Sequence, residues 1–304
     1  MLSQSAIREE VTNRIISALE SGAVPFWRRG WTRSKHSGPP TNAVSRKPYQ
    51  GINRVLLSLM GQDSKWWATY KQWQSVGGQV RRGEKSVMGI FYKPITKENV
   101  AEDGEIETSS FALLKTFNLF HISQIEGDLD QFRDAPTTET ESTFVDFCPA
   151  EEAFRLTGAE VRFGGSQAFY SPSGDFIQLP QKNDFCPNQY YPVLAHEISH
   201  WSGHETRLNR LGKFTRFGSE AYAMEELVGE LGSSYLCNDL GVPQSDDLGN
   251  VTAYLSNWLK VLKRDHSAIF SVASAASKAA DFVLSYSRPA ETSDSESEAE
   301  AVAV

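Results

Sequence analysis

His196 and His200 stand four residues apart in the run YYPVLAHEISHW, with Glu197 directly after the first. This is the H-E-x-x-H pattern. In a helix the two imidazoles share one face, a turn apart, and can bind a single ion. Glu197 is then placed to work on a water held by that ion. The chemistry is metal-assisted hydrolysis: the ion lowers the pKa of its water from about 16 toward 7, and Glu197 moves the proton to the leaving amine. One Zn2+ is the expected ion for two histidines, a carboxylate and water, with Mn2+ as the alternative.

Two histidines do not complete the site. The ending H-x-x-G-x-x-H finds Gly203 in place but Thr206 where its histidine should be. His204 would lie one turn beyond His200. Three ligands along one helix cannot surround one ion, because successive turns are about 5.4 Å apart. His204 is therefore expected at the helix end, on the cleft rim. The run SEAYAMEELVGELGSSYL reads as a second helix with Tyr222, Glu226, Gly229, Glu230 and Ser233 along one stripe. Glu226 is the expected third ligand, with Glu230 four residues on to orient a ligand histidine from behind. Glu225 is the rival ligand, and Tyr222 a candidate to stabilise an oxyanion. Carboxylates in an apolar helix are costly unless paired or metal-bound. Gly229 lets the two helices approach closely.

The elements that must position these groups follow from patterning. Apolar spacing predicts helices at 4–20, 51–60 and about 65–76, with an irregular loop over 23–50. SVMGIFYKPI and SFALLKTFNLFHIS read as strands around an acidic tip near Glu98–Glu107. The acidic, polar segment 126–143 reads as a linker. A helix near 149–157 precedes three strands, AEVRFG, QAFYSP and DFIQLP, and helices fill most of 191–286. DFIQLP is expected at the cleft edge, pairing with an extended peptide. The domains are thus 1–125 and 144–287, with 288–304 an acidic tail expected to be disordered.

Charge divides along the same line. Residues 1–95 hold 15 Lys or Arg and 5 Asp or Glu, whereas the remainder of this chain of net charge −8 holds 15 and 33. The first part is suited to a polyanion. PFWRRGWTRSK, KWWATYKQW and VRRGEKS interleave aromatics with cations, as in grooves that bind single-stranded nucleic acid. Trp27, Arg28, Arg29, Trp31, Arg33, Lys35, Lys71, Arg81, Arg82 and Lys85 are the expected contacts. Most of Trp66, Trp67 and Trp73 are expected in the core. No zinc-finger, RRM or P-loop signature occurs. Three scattered cysteines fit a reducing cytoplasm. No stretch of 18 uninterrupted apolar residues occurs, so no transmembrane helix and no membrane partner is expected. The N-terminal run MLSQSAIREEVTNRIISALESG mixes charges with apolar residues, unlike the apolar core of a signal peptide.

ALESGAVPFWRRGW, YQGINRVLLS, WATYKQWQSVGGQVRRGEKS, HEISHWSGHETRLNR and YAMEELVGELGSSYL together resemble the ArdC-type antirestriction proteins of conjugative plasmids. The resemblance runs over about 5–285. It implies an α+β fold of two domains: an α+β domain binding single-stranded DNA, and a zincin-like, gluzincin-type metallopeptidase domain with a small antiparallel sheet. That second domain is similar to SprT and Spartan proteases, which cut proteins on DNA. Carried over, His196, Glu197 and His200 are the motif residues and Glu226 the third ligand. The implied role is protection of incoming plasmid DNA from host restriction, with a protein substrate or the restriction machinery as further partner.

Overall fold

The computed structural model describes residues 3–21, 36, 38–60, 64–100, 106–133, 148–185, 189–211, 220–243 and 251–288. The N-terminal half begins with α1 (Gln4–Glu20), whose Ser3 side chain accepts the Ala6 N–H and which buries Ile7, Val11, Ile15 and Leu19. This matches the expected amphipathic helix. α2 (Gly51–Ser58) likewise buries Ile52, Val55 and Leu56.

A four-stranded sheet follows in the order β1-β2-β5-β4. β1 (Thr41–Asn42) runs parallel to β2 (Trp66–Ala68), and β2 is antiparallel to β5 (Ile106–His121). β4 (Val87–Val100) pairs with β5 without interruption from Val87↔Leu119 to Val100↔Ile106. The expected helix over 65–76 is only partly formed. Trp66–Ala68 is strand, and α3 spans just Tyr70–Ser75, because Thr69 starts it with a capping box to Gln72.

The expected linker also begins inside folded structure. β3 (Gln79–Val80) pairs with β6 (Ile125–Glu126), and a 3-10 turn at Asp130–Phe132 follows. Leu129 and Phe132 are buried with Trp66, Trp73 and Ile125 in a small separate core. Two apolar anchors therefore hold an acidic stretch that composition alone assigns to solvent.

The C-terminal half comprises α4 (Cys148–Leu156), β7 (Glu160–Phe163), β8 (Phe169–Ser171), β9 (Phe176–Leu179), α5 (Tyr190–Trp201), α6 (Glu220–Leu240), α7 (Val251–Arg264) and α8 (Ala268–Ser285). Its sheet has the order β7-β9-β8 and is mixed, since β7 is parallel and β8 antiparallel to β9. The expected antiparallel sheet is corrected accordingly. So is the place of DFIQLP. β9 is the central strand, hydrogen-bonded on both sides, so it has no edge for a peptide; the free edges belong to β7 and β8.

The two halves share one apolar core. α1 lies against α7 and α2 against α8. Ile7, Val11, Ile15, Val55 and Leu56 are buried in the same cluster as Leu231, Trp258, Val272 and Val283. The hydroxyl of Thr12 donates to the His266 carbonyl at 2.9 Å, and the Gly51 N–H donates to Ser277 Oγ at 3.0 Å. Helix α8 is long and apolar enough to cross a membrane, yet Ile269, Val272, Ala276 and Val283 are buried within this core.

Candidate metal centre

Helix α5 carries Pro192 as its third residue, where a missing N–H costs nothing, because the first turn has no intrahelical acceptor. Leu194, Ala195, Ile198 and Trp201 enter the core. His196 and His200 face α6. That helix turns two glycines toward α5. A Cβ on Gly229 would lie 2.8 Å from His196 Cε1 and His200 Nε2, and one on Gly232 would lie 2.5 Å from Ser199 Oγ. Ser233 Oγ donates to the Pro192 carbonyl at 2.7 Å, tying the helices together.

The ring nitrogens converge. His196 Nε2 and His200 Nε2 are 3.0 Å apart. Glu226 Oε2 is 3.5 Å from His196 Nε2, and Glu226 Oε1 is 4.0 Å from His200 Nε2. One donor atom from each of the three residues fits within 4.8 Å of the others, and this is the only such group of three among the described residues. Two imidazole nitrogens and a carboxylate gathered around one point, roofed by a glycine, suit a divalent ion.

Each histidine has a carboxylate near its other nitrogen. Glu230 Oε1 lies 3.6 Å from His196 Nδ1, and Glu225 Oε1 lies 3.0 Å from His200 Nδ1. Glu230 therefore lies on the side of His196 away from the converging nitrogens. Glu225, the rival ligand, is on the far side of His200 from the converging nitrogens. It receives Arg210 Nε at 2.8 Å and Arg210 Nη2 at 2.8 Å, and against burial the hydrogen bonds from His200 and Arg210 hold its pKa below the usual carboxylate range.

Burial opposes charge on both His196 and Glu226, and their mutual attraction overrides it. Glu226 is lowered to about 2 by His196 and His200. His196 is raised to about 9 by Glu226, Glu197 and Glu230. Glu197 is 7 % exposed, and its carboxylate makes no hydrogen bond to a described residue. Tyr222 is hydrogen-bonded with Tyr254 and Glu226, and burial together with these partners pushes its hydroxyl pKa up. Tyr254 comes from α7, its ring 6.1 Å from that of Tyr222. The sequence carries no local signal for it, since α7 is far along the chain.

The segment after α5 does more than leave the helix. Arg210 Nη2 also donates to the Ser199 carbonyl at 2.7 Å. Arg207 Nε donates to the Trp201 carbonyl at 2.6 Å, and Arg207 Nη1 to Asp175 Oδ2 in the β8–β9 turn at 3.0 Å. Two arginines therefore clamp the metal helix to α6 and to the sheet. His204 Nδ1 sits 2.9 Å from Thr206 Oγ1, apart from the converging donors.

Comparison with known proteins matches both halves of the chain. Residues 5–120 match the N-terminal domain of anti-restriction factor ArdC, and residues 149–275 match a zincin-like metallopeptidase. The antirestriction protein ArdC of plasmid R388 has been solved metal-free and with Mn(II). The metal-free structure superposes with a TM-score of 0.74 at 34 % identity, covering 92 % of this chain and 97 % of that one. The Mn(II)-bound structure gives 0.72 at 33 % identity, over 93 % and 99 %. The chain belongs to the ArdC antirestriction family. Among its relatives, protein y4eC of Sinorhizobium fredii is 34 % identical over 91 % of both chains. DNA primase TraC of Escherichia coli is 35 % identical over 91 % of this chain, which spans only 27 % of TraC.

Within the ArdC-like N-terminal domain, Trp27, Arg28, Arg29, Trp31, Arg33 and Lys35 lie outside the described residues. Lys71, Arg81, Arg82 and Lys85 are exposed. Arg81 is engaged by Glu84 at 2.7 Å and by the Ser123 carbonyl at 2.6 Å. Trp66, Trp67 and Trp73 are all buried, and Trp73 Nε1 donates to the Phe120 carbonyl at 2.9 Å.

Proposed function

We propose that this protein binds single-stranded DNA through its N-terminal domain and carries a metal-dependent peptidase site in its C-terminal domain, protecting incoming plasmid DNA from restriction. The observation that supports the hydrolytic reading is the convergence of His196, His200 and Glu226 beside a buried Glu197 whose carboxylate has no hydrogen-bonding partner among the described residues. A purely structural ion needs no such base. Zn2+ suits this donor set, and the Mn(II)-bound relative keeps Mn2+ as the alternative.

A bound divalent ion supplies Lewis acidity and a water of lowered pKa. Glu197 accepts the proton from that water and returns it to the leaving nitrogen. Glu225 and Glu230 keep the imidazoles of His200 and His196 in the tautomer and orientation that present Nε2. Tyr222 holds the Glu226 carboxylate and stands ready to donate to a developing oxyanion. An extended peptide would pair with a free edge of the small sheet, at β7 or β8, rather than with β9. The site works in the cytoplasm, where single strands enter and restriction enzymes act, on a protein substrate bound to or near that DNA.

A second reading has the protein coat the entering strand as a transfer or replication accessory, with the metal site structural. The likeness to part of DNA primase TraC favours it. The variant Glu197→Ala separates the two. If it loses restriction protection while still binding single strands, the peptidase reading holds. Full protection by the variant would leave occupancy of the DNA as the mechanism.

A further inference from the structure

Arg46 has a backbone φ of 61°, a left-handed conformation that L side chains rarely adopt. Asn42 builds the turn that imposes it. The Asn42 side-chain oxygen accepts the N–H groups of Val44 and Ser45 at 3.0 Å each, and the Arg46 N–H donates to the Asn42 carbonyl at 2.9 Å. The turn lays the guanidinium against two rings. Arg46 Cζ is 4.6 Å from the Trp66 ring centroid and 4.5 Å from that of Phe132. These rings meet edge to face, 5.5 Å apart. Arg46 Nη2 donates to Gln131 Oε1 at 3.2 Å, and no carboxylate among the described residues pairs with this exposed guanidinium.

A second cation shares the same indole. Lys65 Nζ lies 4.8 Å from the Trp66 centroid. Burial, and then the charge of Arg46, hold its pKa below the ordinary lysine value. Two positive charges are thus gathered beside one ring. His36 is tied to the same place. Trp66 Nε1 donates to His36 Nδ1 at 2.8 Å, and the Lys65 N–H donates to the His36 carbonyl at 2.7 Å.

We infer that Arg46 and Lys65, carried on the Trp66–Phe132 shelf, form a clamp for the phosphates of a single-stranded DNA backbone. The inference rests on the DNA-binding reading above and locates it. Trp66 is 6 % exposed, so it supports the cations and offers no face to a base. A planar guanidinium laid on rings keeps its rim of N–H donors turned outward, the geometry that phosphate oxygens take. Base stacking is left to aromatics elsewhere, and the clamp supplies register along the backbone.

The test uses the full chain and a fluorescein-labelled oligo-dT of about 20 nucleotides, titrated by anisotropy across a salt series. Arg46→Gly removes the side chain and suits the left-handed backbone, so the turn is kept; Lys65→Gln is the second variant. Each should bind roughly five- to tenfold more weakly, with the slope of log K against log salt reduced by about 0.7 per lost phosphate contact. The melting temperature reports on folding, and if Arg46→Gly melts lower, Lys65→Gln decides by the same two readings. Wild-type affinity and slope in both variants would overturn the clamp while the DNA-binding reading stands. A wild-type protein that fails to bind the oligonucleotide would overturn both.

Discussion

His200 Nδ1 lies 3.0 Å from Glu225 Oε1, and the same carboxylate is gripped by Arg210 through Nε and Nη2 at 2.8 Å each. The imidazole is thus aimed by a carboxylate that is itself immobilised. Partners of this kind typically hold one to two orders of magnitude of metal affinity. Glu225→Ala is expected to weaken Zn2+ binding about 10- to 100-fold in a chelator competition, with the fold intact by circular dichroism. Unchanged affinity would mean that the geometry at Nε2 does not depend on Glu225.

Gly229 marks the closest approach of α6 to both histidines. A methyl group there must displace rings that lie 2.8 Å away. Gly229→Ala is expected to cost about 1–3 kcal/mol in urea unfolding, the usual penalty for overpacking, and to weaken metal binding as well. Equal stability and equal affinity would show that the helices can spread without consequence.

The carboxylates around His196 give the metal-free protein a defined pH response. His196 is raised to about 9 from an ordinary 6.5, so its stabilising contribution is complete below about 6.5 and is lost as pH climbs through about 9. Glu226 is lowered to about 2, so its contribution is present above an ordinary 4.5 and is lost as pH falls through about 2. Urea unfolding in the presence of a chelator should therefore show stability falling between about pH 7 and 9. His196→Asn should flatten that slope. Metal binding near neutral pH should release about one proton, read by calorimetry in buffers of different ionisation enthalpy.

Arg54 locks the two halves together. It is 1 % exposed, lies 3.2 Å from Asp239 Oδ2, donates to the Tyr235 carbonyl at 3.0 Å, and stacks 4.0 Å from the Tyr235 ring centroid. Arg54→Ala leaves Asp239, among the described residues, with only Arg288 as an ion-pair partner, at 3.8 Å. The expected loss is about 3–5 kcal/mol, as for other broken buried pairs, measured by urea unfolding at neutral pH. A loss below about 1 kcal/mol would place the pair among surface-like interactions.

What the sequence shows of this site and what it hides have physical causes. The histidine pair, Glu197 and the stripe through Glu226 and Glu230 follow helical periodicity, and periodicity is local. Glu225 and Glu226 are adjacent and of one type. Only the rotation of α6 decides that one faces the converging nitrogens and the other faces Nδ1. Arg210 and Tyr254 reach the site through tertiary contacts that leave no mark in spacing. Trp66–Ala68 reads as helix because tryptophans suit either element, and pairing with β1 and β5 makes it strand. Leu129 and Phe132 are too few to outweigh the acidic residues around them, so the folded stretch up to Arg133 reads as the start of a linker. The shared core escapes the sequence for the same reason: Val55 and Val272 are apolar in either domain, and only packing says that they meet.

The account turns on one ion held between α5 and α6, and anomalous diffraction from crystals soaked with Zn2+ tests it most directly. The predicted result is a single strong peak about 2.0–2.2 Å from Nε2 of His196, Nε2 of His200 and a carboxylate oxygen of Glu226. A peak on Glu225 instead of Glu226, or none at this position with zinc bound elsewhere, would contradict it.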